Sequence, residues 1–154
     1  MQESNPLGTH SVCQIALVVD DIRAYAARYA RLLGLPMPEI RETATAEHTG
    51  IRYRGDPTGA RAKLAFFQAG PQLAIELIEP IGGPSIWREH LDAHGPGVHH
   101  IAFRVPDMDQ VVANLADEDM PVAQSGRFSG GRYAYIDSVA QLGVMLELLA
   151  NDDQ

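Results

Sequence analysis

The sequence predicts an α+β fold: two tandem βαβββ modules whose strands form one cupped mixed sheet with the helices outside. Three observations predict it. The stretch Gln14-Ile15-Ala16-Leu17-Val18-Val19-Asp20-Asp21-Ile22 returns as His100-Ile101-Ala102-Phe103-Arg104-Val105-Pro106-Asp107-Met108, ungapped, 86 residues later. Ala74-Ile75-Glu76-Leu77-Ile78 returns as Met145-Leu146-Glu147-Leu148-Leu149, 71 residues later. Behind each first strand the apolar period becomes helical: Ile22, Tyr25, Ala26 and Tyr29 map onto Met108, Val111, Val112 and Leu115, which are i, i+3, i+4 and i+7 positions.

The elements follow in order. Module one covers about residues 11–80, a linker helix about 84–94, and module two about 97–150, within a single domain spanning 1–154. In module one, strands are expected near 11–19, 51–54, 62–68 and 73–79, with a weaker one at 39–44. In module two they are expected near 98–105, 122–128, 132–137 and 144–149. Asp20 or Asp21 caps the first helix and Asp107 the second, by accepting hydrogen bonds from free N–H groups. Ser85 stands near the start of the linker helix and Gly95 after its end. Ala69-Gly70-Pro71 and Gly130-Gly131 read as turns. Module one is 15 residues longer between helix and last strand (86 against 71), and Gly50, Gly55, Pro57 and Gly59 put the extra length in 42–60. The tails at 1–9 and 151–154 read as frayed ends.

Composition narrows the function classes. Hydrophobic residues make up 45% of 154, enough for a real interior, and the net charge of -8 repels phosphate backbones and anionic lipid. Nucleic acid and membrane are therefore not expected partners. An anionic substrate needs a local basic patch, which Arg52, Arg54, Arg61 and Lys63 could supply, although the same residues suit a solvated strand. The lone Cys13 forms no internal disulfide, the polar N-terminus lacks a signal-peptide core, and no apolar run is of membrane-spanning length, so a cytoplasmic location is expected. Walker, GxGxxG and CxxC motifs are absent.

The candidate chemistry comes from strand alternation. Gln14 shares a face with Ala16 and Val18, and His100 with Ala102, while the alternate residues pack on the helices. Glu76 and Glu147 stand opposite their bulky neighbours in the closing strands. A carboxylate among apolar strands is costly unless paired or bound to a metal. If the modules pair about a pseudo-twofold axis, Gln14, Glu76, His100 and Glu147 converge. Three oxygen donors and one imidazole suit Mn, Co, Ni, Mg or Fe. The competing reading is two carboxylates on a solvated sheet face. His99 and Cys13 should point away from that face. His10, His48, His90 and His94 should be exposed, and Phe66, Trp87, Phe128, Tyr133 and Tyr135 either line a pocket or fill the core.

Gly97-Val98-His99-His100-Ile101-Ala102-Phe103, with Leu73-Ala74-Ile75-Glu76-Leu77-Ile78-Glu79-Pro80 and Met145-Leu146-Glu147-Leu148-Leu149, resembles the vicinal oxygen chelate superfamily (glyoxalase I, methylmalonyl-CoA epimerase, extradiol dioxygenases and bleomycin-resistance proteins). The resemblance spans about residues 12–151 and comes nearest to methylmalonyl-CoA epimerase. It implies metal ligands from the first and last strands of each module, at Gln14, Glu76, His100 and Glu147. Gln14 departs from the His usual in the epimerase and in glyoxalase I, and Glu76 from the Gln frequent in epimerases. The implied activity is isomerase or lyase chemistry: proton abstraction next to a carbonyl of a small substrate such as a CoA thioester, with Glu147 and then Glu76 as catalytic carboxylates. Arg61, Lys63 and Tyr135 are the expected substrate-binding residues, and a homodimer the expected assembly. A glyoxalase-type lyase and a metal-free protein sequestering a small ligand are the alternatives.

Overall fold

The computed structural model describes residues 5–152; the frayed ends expected at 1–4 and 153–154 lie outside the described residues. The chain runs β1 (Val12–Val18), α1 (Ile22–Leu33), β2 (Arg41–Glu42), α2 (Ala46–Thr49), β3 (Arg52–Tyr53), β4 (Asp56–Pro57), β5 (Arg61–Gly70) and β6 (Leu73–Ile81). It continues through α3 (Ile86–His94), β7 (Gly97–Arg104), α4 (Met108–Ala116), β8 (Val122–Phe128), β9 (Gly131–Ile136), α5 (Val139–Leu142) and β10 (Met145–Asn151). Caps set the helix starts. Asp21 accepts from the Ala24 N–H, its repeat mate Asp107 from that of Gln110, and Ser85 from that of Arg88. Gly34 closes α1 in the left-handed conformation that glycine adopts at least cost.

Among the described residues the ten strands form one mixed sheet in the order β2-β5-β6-β1-β7-β10-β9-β8-β3-β4. β1 and β7 pair antiparallel at the centre, and each pairs parallel with the last strand of its own module, β6 or β10. The two halves are thus related about the β1/β7 seam. One outer core joins α1 to Leu17, Ala65, Phe67 and Leu77; another joins α4 to Phe103, Ala134, Ile136 and Leu148. The inner face carries its own core of Ala16, Val18, Ala62, Ile78, Tyr135 and Met145, closed by Ile86 and Trp87 of α3. The linker helix therefore lies inside the cup, while α1 and α4 lie outside.

The extra segment of module one behaves differently from a simple surface loop. β2 pairs with β5 at one edge of the sheet, and β3 pairs with β8 of module two at the other. Ten residue steps, four of them in the α2 turn, reach about 27 Å at most. Eight flat interstrand spacings separate β2 from β3 and would need about 38 Å, so the sheet is curled enough to be bridged. Ile51 and Ala60 of this strap join the inner core. Tyr53 donates to Glu89, Arg54 pairs with Glu89 at 2.6 Å, and the Thr58 hydroxyl donates to the Pro84 carbonyl at 2.7 Å, tying the strap to α3.

The expected frayed stretch 5–9 is instead partly docked: Leu7 packs on the α4 core and Asn114 donates to the Pro6 carbonyl. No helix is long and apolar enough, among the described residues, to cross a membrane.

Candidate functional site

The register of the central strands decides which side chains meet. Ala16 stands between Glu76 on β6 and His100 on β7. Its repeat mate Ala102 stands between Gln14 on β1 and Glu147 on β10. A methyl group is the largest side chain at either crossing, so four longer side chains can lean over the two alanines toward the seam. His100 Nε2 lies 3.5 Å from Glu76 Oε1 and 3.3 Å from Glu147 Oε1. One ligand atom from each of Glu76, His100 and Glu147 lies within 4.8 Å of the others. All three residues are buried, His100 completely.

The cluster gathers more buried polar atoms than its own side chains satisfy. Gln14 Oε1, Glu76 Oε1, His100 Nε2 and Glu147 Oε1 are buried without a hydrogen-bond partner. An unpaired buried charge costs several kcal/mol, against a total stability of about 5–15 kcal/mol for a domain. Two such carboxylates are untenable without compensation. Burial, with the charge of Glu147 adding to it, pushes the Glu76 carboxyl up against the opposing pull of His100. Burial alone would lower the His100 imidazole, but Glu147 and Glu76 outweigh it and lift the ring to about 9. A proton on His100 meets part of the charge, and a dication would meet it fully. Cis donors around a dication with bonds of about 2.1 Å sit about 3 Å apart, close to the spacings here. Glu76, His100 and Glu147 therefore fit a hard or borderline metal ion, and Gln14, across Ala102 from Glu147, carries a buried, unpartnered oxygen.

His99 departs from its sequence reading. Alternation sends it to the opposite face from His100, but β7 bulges: Ala16 faces His100 while Leu17 faces Val98, leaving His99 as the extra residue. Its ring consequently stays beside the cluster, with Nδ1 2.8 Å from His100 Nδ1 and its edge against Tyr135. Burial, then His100 and His90, hold His99 well below the usual imidazole range, so it is neutral. Cys13, at the repeat-equivalent position, is likewise the extra residue of a bulge in β1 and donates to the Ala102 carbonyl at 3.4 Å. Burial raises its thiol pKa, which suits a packed group and not a nucleophile.

The three expected substrate-binding residues separate. Tyr135 lies on the inner face opposite Glu147, buried, with its hydroxyl accepting from Trp87 Nε1 at 3.2 Å. Arg61 and Lys63 lie across the sheet on the outer side of β5. Arg61 donates to the Thr43 carbonyl and pairs with Glu42 at 3.3 Å, and Lys63 pairs with Glu79 at 3.3 Å. Neither is brought to the cluster. The remaining basic candidates are also occupied, Arg52 by the Gly55 carbonyl and Arg54 by Glu89. Sequence reasoning passed over Gln124, whose Oε1 accepts from the Ile86 N–H while its Nε2 is buried without a partner. No repeat or motif marks it. Two surface depressions, one beside Lys63 and Glu79 and one beside Tyr53 and Arg88, lie away from the cluster.

Residues 13–135 match the family model described as the glyoxalase/bleomycin resistance protein/dioxygenase superfamily. A curated relative, the uncharacterized protein YqjC of Bacillus subtilis (strain 168), is 33% identical over 93 residues, which is 57% of this chain. The chain spans 64% of the length of that relative. Among solved structures, methylmalonyl-CoA epimerase from Mycobacterium tuberculosis superposes with a TM-score of 0.67 at 22% identity, covering 97% of this chain and 93% of that one. A Streptomyces coelicolor methylmalonyl-CoA epimerase variant in complex with 2-nitronate-propionyl-CoA gives 0.63 at 21% identity, covering 92% and 94%. At these identities the likeness is one of fold.

Proposed function

The chain belongs to the glyoxalase/bleomycin resistance protein/dioxygenase superfamily, and from that premise we propose that it is a metal-dependent epimerase or isomerase that removes a proton next to a carbonyl. The observation that carries this reading is the buried, unpartnered quartet of Gln14 Oε1, Glu76 Oε1, His100 Nε2 and Glu147 Oε1. Those four residues would hold the ion. A bound dication supplies Lewis acidity toward a carbonyl oxygen. Glu147 is the carboxylate that moves the proton, with Glu76 second. The apolar inner core excludes water from both. Tyr135, its phenol pushed well above the ordinary range by burial, stays neutral and walls the site beside Glu147. Arg61 and Lys63 take no part in the proposal, because they lie across the sheet.

A CoA thioester of a small branched acid is the substrate class we favour, by analogy with the epimerases of like fold. The test is incubation of methylmalonyl-CoA in D2O with the Mn- or Co-loaded protein. Deuterium should enter the α-carbon; a demonstrably metal-loaded protein that leaves it unlabelled would end the epimerase reading. A glyoxalase-type lyase is the second reading, favoured by paired carboxylates at Glu76 and Glu147, and turnover of a hemithioacetal would single it out. Failure to take up stoichiometric metal would favour a ligand-sequestering protein. The homodimer finds support in Leu32 and Leu33 in the last turn of α1 and Leu35 and Met37 just after it, which leave apolar surface exposed. Sedimentation equilibrium decides the assembly.

A further inference from the structure

We infer that His99 is a positioning residue: its Nδ1 accepts a hydrogen bond from His100 Nδ1–H and so fixes the His100 ring with Nε2 turned to Glu76 and Glu147. The inference rests on the metal-site reading above and adds a role to a residue outside the donor set. The two Nδ1 atoms are 2.8 Å apart, so one must donate and the other accept. With the proton of a neutral His99 on Nε2, its Nδ1 is a lone pair able to accept, and a His100 ring that offers Nε2 to an ion keeps its own proton on Nδ1 and donates from there. Its only remaining nitrogen, Nε2, is the atom 3.3 and 3.5 Å from the two carboxylates. In the opposite arrangement a neutral His100 would carry its proton on Nε2 and close the ligand position.

The bulge makes this contact possible, since a regular ladder would carry His99 to the far face. The repeat supplies a control. Where the first-strand donor is an imidazole, which has two tautomers, the bulged neighbour is a histidine. Where the donor is the amide of Gln14, whose oxygen needs no tautomer, the bulged neighbour is Cys13. Partners of this kind hold a metal-ligating ring in orientation and raise its basicity, and their loss weakens binding about 10–100-fold.

The experiment uses the full chain. Long-range 1H–15N NMR of the metal-free protein should show His100 protonated and hydrogen-bonded at Nδ1, with a neutral His99 protonated at Nε2. His99→Phe should abolish the His100 Nδ1 signature and weaken Mn or Co binding by calorimetry about 10–100-fold. His99→Gln, which restores an acceptor oxygen, should bring both back to within a few-fold. A folded Phe variant that binds metal as tightly as the parent would overturn the role. So would a wild-type spectrum with His99 donating from Nδ1, which needs no variant to fold. If the wild-type protein bound no metal while showing the expected tautomers, the metal reading would fall and the hydrogen-bond assignment would stand.

Discussion

Module one offers an amide and a carboxylate to the shared centre, and module two an imidazole and a carboxylate, from strands in the same order and register. The halves differ in what surrounds those donors. In module two the first-strand donor has an orienting neighbour in His99, and Glu147 faces Tyr135, which is 2% exposed. In module one Gln14 Oε1 is unpartnered, and Glu76 faces Phe66, which is 44% exposed. Duplication has kept the backbone and the carboxylates. It has placed the more strongly bonded, more deeply sealed machinery in the second half.

The largest expected effect tests whether the two carboxylates are equivalent. Glu147→Gln should lower deuterium exchange by about 10²–10⁴-fold, the usual worth of a positioned acid–base group, and Glu76→Gln by at least about tenfold less. Equal losses would erase the ranking. Next come the first-strand donors, read by Mn or Co calorimetry. His100→Leu should reduce affinity by about a hundredfold or more, whereas Gln14→His, which makes the halves alike, should tighten it about tenfold. Weakened binding in Gln14→His would mean that the amide is adapted to its place.

The pH dependence of the metal-free protein sharpens the comparison further. His100 is raised to about 9 from an ordinary 6.5, so its stabilisation is complete below 6.5 and is lost as pH climbs through 9. Glu76 is raised too, and its neutral form is favoured by folding, so its contribution is also lost with rising pH. The thermal midpoint should fall across that window, by the equivalent of about 3 kcal/mol for the His100 contribution. Added Mn or Co should stabilise increasingly over the same window, because metal ligands must be deprotonated. A flat metal-free profile would contradict the charge arrangement. The smallest effects are expected across the sheet: Arg61→Ala and Lys63→Ala should cost under about 1 kcal/mol each in denaturant melts and leave metal affinity unchanged.

Much of the centre was legible because the repeat is ungapped through the first strands and regular in the last ones. Offsets of 86 and 71 place Gln14 with His100 and Glu76 with Glu147, and alternation then assigns their face. His99 was misread because alternation assumes a regular ladder, and nothing local in Val98-His99-His100 announces a bulge. Arg61 and Lys63 were misread for a different reason. Ala62, Leu64, Ala65, Phe66 and Phe67 put apolar residues on both faces of β5, so the face of the charged residues follows only from the pairing with β6. The extra length at 42–60 was legible, but its partner strand β8 was not, because that contact joins segments some seventy residues apart.

That contact has a consequence for how the chain can be built. Either half alone would lack its partner across the β1/β7 seam, and residues 52–53 of the first half also complete the outer edge of the second. Cutting the chain in the linker would leave β8 with an unpaired edge, a template for aggregation. The first half would keep a segment with no strand to join. Co-expressed fragments should therefore complement each other where neither alone is soluble. The β3/β8 pairing closes a loop of about 70 residues and the β1/β7 seam one of about 80–90, so both long-range contacts slow folding relative to a chain of local pairings.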